Sequence, residues 1–203
     1  MEKYTTLYDV LIIGAGPSGS NAAISYKNLN PDLKVGLIDK SIFPRDKSCG
    51  DAIGPGVISA LKRFNNQHIL DNEPQVVSTT LYGPENIGIQ NYIPEVKNKE
   101  DSIVYVIPRI DLDNRILNLA KDLDVDVFEG YSFVSFEKDL DNKLVVEIKN
   151  GDNITKLGTK ILVGADGANS RVRKQLNVNT NSDWHKAIAI RAVSYTHLRA
   201  HET

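Results

Sequence analysis

The sequence predicts an α/β fold with a parallel central sheet, a small three-stranded antiparallel layer, and the beginning of a second antiparallel sheet. Three observations predict it. Tyr8 to Ser20 reads YDVLIIGAGPSGS, an apolar run from Val10 to Ile13 followed by glycines at Gly14, Gly16 and Gly19. A second apolar run, Val35 to Ile38, ends in Asp39, twenty positions after Gly19. Beyond Pro74 the period changes, and β-branched residues with turn punctuation replace helical spacing.

The first run is a strand entering a tight turn and then a helix, a Rossmann-like arrangement in which each glycine has a task. Gly14 permits the turn, Gly16 lets backbone approach a pyrophosphate, and Gly19 lets the helix pack closely on the sheet. The helix N-terminus then faces the anion. At the end of the second strand, Asp39 is placed to accept from both ribose hydroxyls of an adenosine and to repel a 2′-phosphate. The pattern predicts a dinucleotide and does not choose between NAD and FAD.

A helix is expected over Gly54 to Arg63, then a loop marked by Asn65, Asn66, Asp71, Asn72 and Pro74. Val76 to Ile93 reads as antiparallel strands punctuated by Gly83-Pro84 and Pro94, and Lys97 to Asp101 as a charged loop. Val104 to Ile107 returns as a strand. Leu112, Ile116, Leu119, Ala120 and Leu123 recur at helical spacing within Arg109 to Leu123, and Val125 to Phe128 is the next parallel strand. Phe133, Val134 and Phe136, then Leu144, Val146 and Ile148, alternate as two strands of the antiparallel layer, with Asn150-Gly151 as a turn signal. Ile161 to Val163 is a further buried strand, followed by GADGANS from Gly164 to Ser170 and a helix opening at Arg171. Asp166 thus sits where a strand ends and a helix begins, the crevice at which open α/β sheets bind ligands.

Composition bounds the function classes. A chain of 203 residues with 41% hydrophobic residues fills one core or a little more. Lysine and arginine number 24 against 26 acidic residues, and a net charge of −2 offers no electrostatic case for nucleic acid or an anionic membrane surface. The single cysteine, Cys49, excludes an internal disulfide framework. No basic-then-apolar signal segment opens the chain, so a reducing cytoplasm is the expected location. No apolar run has the length of a membrane span, and peripheral membrane association is left open.

GAGPSG, FPRDKSCGD, PRIDLDNRI and VGADGANSRVR, in this order and roughly this spacing, resemble the geranylgeranyl reductase family of flavoproteins, which shares the fold of the aromatic-ring hydroxylases. The resemblance covers residues 8 to about 192, and its narrower mark is the KxCGD segment: Lys47, Cys49, Gly50 and Asp51. It implies FAD, bound through Gly14, Gly16, Pro17, Ser18, Gly19, Asp39, Lys40, Arg45, Cys49, Gly50, Asp51, Arg109, Asp166 and Gly167.

Arg45 and Arg109 each sit beside a proline at an expected strand-to-helix junction, where a guanidinium reaches a pyrophosphate or adenosine oxygen; the plain alternative is a solvated surface arginine. Asp166 caps the following helix, takes a role beside the flavin, or does both. An isolated cysteine is ordinarily a small buried hydrophobe, but Cys49 follows Arg45 and Lys47, cations that favour a thiolate. In the family it resembles, this loop lies by the reactive face of the flavin, which makes Cys49 the catalytic candidate.

The resemblance further implies reduction of C=C bonds in a polyprenyl lipid or quinone side chain, by hydride from reduced flavin plus a proton, with NAD(P)H or another reductant as donor. Cys49 gives that proton, positions the alkene, or relays through water. A flavin monooxygenase acting on an aromatic or other small molecule, and a non-catalytic nucleotide-binding module, stand as the other readings.

Residues 1–75 and 104–185 are expected to form the FAD-binding domain, with 76–103 and 186–192 contributing part of a substrate-domain sheet. Residues 193–203, VSYTHLRAHET, resemble a translated sequencing adaptor and are expected to be non-native. The spacing of His197 and His201 is therefore set aside as a metal site, and no metal is expected. Relatives in that family carry a further GD-containing motif beyond this point, so the chain by itself is expected to hold FAD weakly.

Overall fold

The structure, a computed structural model, describes residues 4–76, 78–82, 87–92 and 104–178. The Gly83-Pro84 and Pro94 punctuation, the 97–101 loop, the strand at 186–192 and the 193–203 tail with its two histidines lie outside the described residues.

The chain opens with β1 (Leu7–Ile13), α1 (Pro17–Leu29), β2 (Val35–Asp39), β3 (Ala52–Ile53) and α2 (Pro55–Lys62). A hairpin of β4 (Ser78–Tyr82) and β5 (Gly88–Tyr92) follows, then β6 (Tyr105–Val106), α3 (Arg109–Asp122) and β7 (Asp126–Glu129). The last elements are β8 (Ser132–Lys138), β9 (Leu144–Asn150), β10 (Asn153–Gly164) and α4 (Arg171–Gln175).

The main sheet has the order β7-β2-β1-β10-β9-β8. Its first four strands are parallel and its last two pair antiparallel. β1 is apolar on both faces because both are covered. Val10 and Ile12 pack with Ala23 and Ile24 of α1 and Ile116 and Leu117 of α3, whereas Leu11 and Ile13 pack with Phe133, Val146, Ile148 and Leu157 of the antiparallel strands. Burying each of the valine, leucine, isoleucine and phenylalanine side chains contributes about 1.5–3 kcal/mol.

Two sequence expectations change here. Ile161 to Val163 is not a separate strand: β10 runs unbroken from Asn153, pairing with β9 through residues 153–159 and with β1 through residues 158–164. The three-stranded antiparallel layer is therefore the far half of the central sheet, with Phe133 of β8 brought against Ile13 and Ile38. The strand expected at Val104 to Ile107 shortens to Tyr105–Val106 and joins β3 outside the main sheet. That pairing carries the loop after β2 to the start of α3, and the site is built on it.

Candidate functional site

The glycine turn is fixed by backbone contact. Gly14 has φ +103°, its N–H donates to the Ile38 carbonyl at 2.7 Å, and the space a Cβ would need is taken by the Ala165 carbonyl. A Cβ on Gly19 would meet the Gly14 carbonyl. Gly16 differs: its nearest neighbour is Nη2 of Arg45, 3.4 Å from a built Cβ. Pro17 then opens α1, which has no side-chain cap and no acidic residue in its first turn. A helix start left in this state presents unpaired N–H groups to an anion.

A cavity of about 510 Å³ opens at the C-terminal ends of β1, β2 and β10, a size usual for small-molecule sites. Of the residues singled out from sequence, Gly14, Gly16, Pro17, Ser18, Asp39, Lys40, Arg45, Arg109, Asp166 and Gly167 line it. Gly19, Cys49, Gly50 and Asp51 do not. Gly19 serves the turn from behind, and of the KxCGD segment only Lys47 reaches the lining. Ser41, Tyr131, Ser132, Asn169 and Arg171 also line the cavity and were missed. Ser41, Tyr131 and Asn169 follow the ends of β2, β7 and β10, so the rule placing ligands at the C-terminal edge of parallel strands would have pointed to them, whereas Ser132 opens β8 and Arg171 opens α4.

Asp39 is held by two backbone donors: Ala15 N–H reaches Oδ2 and Ser41 N–H reaches Oδ1, both at 2.8 Å. Each carboxylate oxygen can accept again. The N-cap of α4 is Ser170, whose Oγ accepts from Arg173 N–H at 3.0 Å; Asp166 assists from outside the helix, its Oδ2 accepting from Arg171 N–H at 2.6 Å, while its buried Oδ1 has no hydrogen-bond partner among the described residues.

The two arginines are not solvated surface residues, since only 17% of the Arg45 side chain and 16% of the Arg109 side chain are exposed. Both turn to Asp113, a residue of α3 that sequence reasoning missed and whose side chain is fully buried. Arg109 grips Asp113 with two parallel bonds, Nε to Oδ1 at 2.6 Å and Nη2 to Oδ2 at 2.8 Å. Arg45 Nη1 lies 3.1 Å from Asp113 Oδ2 as an ion pair, but at an angle that leaves this buried nitrogen without a hydrogen bond among the described residues. The i,i+4 spacing of Arg109 and Asp113 was a signal available in the sequence.

Cys49 is half-buried. The loop carrying it is docked by Ile107 N–H, which donates to the Asp51 carbonyl at 2.9 Å, next to the β3–β6 pair. The cation at the thiol is Arg109 rather than Arg45 or Lys47: Arg45 is committed to Asp113, and Lys47 is exposed at the cavity rim. The Asp51 N–H and then the Arg109 guanidinium hold the Cys49 thiol below the ordinary thiol range, against burial and the Asp51 carboxylate. Thiolate is therefore retained to lower pH than in a free cysteine. Alkylation by iodoacetamide should show a midpoint below that of glutathione measured in parallel, falling away as pH drops through it. A midpoint at or above the free-thiol value would contradict this placement.

The donor set suits an anionic dinucleotide. Arg45 reaches an uncapped helix start, its Nη2 by Gly16 and its Nη1 paired with Asp113; Asp39, a carboxylate with lone pairs to spare, ends β2; and Asp166 Oδ1 in the cavity wall has no donor among the described residues. Among the described residues, no helix is long and apolar enough to cross a membrane.

A family profile described as FAD binding domain matches residues 7–199. The menaquinone reductase of Mycolicibacterium smegmatis is 29% identical over 187 residues, covering 92% of this chain and 44% of that protein. The geranylgeranyl diphosphate reductase of Rhodobacter capsulatus is 30% identical over 172 residues, covering 83% of this chain and 40% of the relative. Among solved structures, p-nitrophenol 4-monooxygenase from Pseudomonas putida DLL-E4 superposes with a TM-score of 0.75 at 17% identity, over 86% of this chain and 44% of that one. The chain thus spans less than half the length of these relatives, and the last likeness is one of fold.

Proposed function

From the premise that this chain belongs to the FAD binding domain family, with FAD as its cofactor, we propose that the whole protein reduces C=C bonds in a polyprenyl lipid or a quinone side chain. The observation that carries this reading is the docking of the Cys49 loop at the start of α3, beside Arg109 of the cavity wall. Two reductases among the relatives, one named for menaquinone and one for geranylgeranyl diphosphate, support the substrate class.

In this proposal the residues divide into binding and proton-handling groups. Asp39 accepts from ribose hydroxyls, with Lys40 beside it at the rim. The glycine turn at Gly14 and Gly16, the helix start at Pro17 and Ser18, and the Arg45 guanidinium, whose Nη2 stands by Gly16, receive the diphosphate. Asp166 Oδ1 accepts from the ligand, with Gly167 giving the backbone room, while Oδ2 keeps α4 in place. Gly19 acts through the packing of the turn. Reduced FAD supplies the two electrons as a hydride equivalent, renewed by NAD(P)H or another donor.

Saturating an isolated alkene also needs a proton at the neighbouring carbon. Cys49 Sγ is proposed as its source, directly or through a water. The Asp51 N–H and the Arg109 guanidinium stabilise the thiolate left behind, and Gly50 lets an apolar substrate come close to the loop. The β4–β5 hairpin belongs, in this reading, to the sheet that covers the substrate.

The test is anaerobic incubation of the whole FAD-loaded protein with reduced donor and a panel of polyprenyl alcohols, diphosphates and prenylated quinones, read by mass spectrometry. Increments of two hydrogens are expected. A hydroxylated product formed only with oxygen, and no increment without it, would move the protein to the monooxygenases.

A further inference from the structure

Asp113 does not line the cavity, yet two of the arginines that do, Arg45 and Arg109, end on it. The carboxylate is fully buried in α3, between the apolar positions Leu112 and Ile116. One positive charge would balance it, and Arg109 supplies that with a two-toothed bond. The second arginine, Arg45, arrives from the loop after β2 and stands over Gly16, at the start of α1. Three chain segments that are distant in sequence thus depend on one carboxylate for the direction of two guanidinium groups.

We infer that Asp113 is the positioning residue of the site, holding Arg109 against the Cys49 thiol and Arg45 over the glycine turn. Its role toward Arg45 rests on the cofactor reading above; its role toward Cys49 does not. The groups facing the thiol are Arg109 from α3 and Asp51 from the cysteine's own loop.

Two mechanisms make opposite predictions for Asp113→Asn. If Asp113 acted only as a nearby negative charge, removing it would leave Arg109 in place with more of its positive charge felt, and thiolate would form at lower pH. If Asp113 positions Arg109, the released guanidinium turns away and thiolate forms at higher pH. Cys49 is the single cysteine, so iodoacetamide alkylation of the 203-residue chain reads it directly. Expected for Asp113→Asn is a midpoint raised by about one pH unit, a roughly tenfold slower alkylation below it. Arg109→Gln should give a similar rise, and the double variant no further rise, as for residues acting as one unit. An unchanged or lowered midpoint, or additive shifts, would overturn the inference.

Removing one member of a buried pair can unfold a chain, so circular dichroism accompanies each variant. Arg109→Lys keeps the charge but cannot make the two-toothed bond. It should also raise the midpoint, and a wild-type profile there would count against the inference even if Asp113→Asn fails to fold. For the Arg45 arm, Asp113→Asn should weaken FAD binding, read by flavin fluorescence, as Arg45→Gln does. FAD affinity unaffected by Asp113→Asn but lost in Arg45→Gln would remove Asp113 from that arm. Affinity unaffected by both would instead count against Arg45 as a cofactor residue, with alkylation still deciding the thiol arm.

Discussion

Gly19→Ala should lower the stability of the fold by about 3 kcal/mol, whereas Gly16→Val should leave stability within about 1 kcal/mol of the parent and weaken FAD binding about a hundredfold, roughly 2.7 kcal/mol. The two glycines are three residues apart in one motif, yet their surroundings differ. A Cβ at Gly19 runs into the Gly14 carbonyl, and Gly14 is itself pinned by the Ala165 carbonyl and by its bond to Ile38, so nothing nearby can yield. At Gly16 the backbone is extended, a conformation valine adopts readily, and the nearest group is the end of the Arg45 side chain. That group can swing aside, but the added side chain then fills the space where a diphosphate meets the helix start. Urea unfolding at unchanged slope separates the first effect, and flavin titration of the whole protein the second. Loss of stability in Gly16→Val with normal FAD affinity would reverse the assignment.

The same contrast explains what the sequence could and could not disclose. Apolar runs flanked by glycines made β1, α1 and β2 legible, because parallel strands covered on both faces must be apolar throughout. The period of Leu112, Ile116 and Ala120 located α3 to within a residue of its end. Asn150-Gly151 located the β9–β10 turn, but not that β10 continues for 12 residues into the parallel sheet. Thr155, Lys156, Gly158 and Thr159 interrupt its apolar pattern while the ladder to β9 holds them in line, and ladder hydrogen bonds leave no trace in composition.

Site residues divide the same way. Asp39 was legible because it ends β2, and Asp166 because it follows the end of β10 by two residues. The cation beside Cys49 was misassigned because Arg45 and Lys47 are close in sequence, whereas Arg109 comes to the thiol through the β3–β6 pairing. Asp113 sits on an otherwise apolar helix face, and a charge is acceptable there only because a partner neutralises it. Its i,i+4 relation to Arg109 was visible, but Arg45 as a second partner was not.

Cys49→Ala is the substitution with the largest expected effect on turnover. If Cys49 supplies the proton in alkene reduction, the rate of the whole protein should fall about a hundredfold or more, within the range usual for loss of a positioned acid. FAD affinity should change less than about twofold, because Cys49 does not line the cavity. The pH profile gives a readout that packing alone would not move. The protonated thiol is the donor, and its pKa is lowered by Asp51 N–H and Arg109. The wild-type rate should therefore decline as pH rises through that lowered value, and the variant should lose this limb while keeping any other pH dependence. Cys49→Ser keeps the size and a proton but not the acidity, so it should resemble Cys49→Ala; near-complete recovery in serine would mean that the residue positions the alkene instead. A non-catalytic nucleotide module makes a third prediction, since neither substitution would alter any measurable property while Gly16→Val still abolished flavin binding. The hydrogen increment, the alkaline limb and the serine variant together distinguish acid, positioning group and bystander at one sulfur atom.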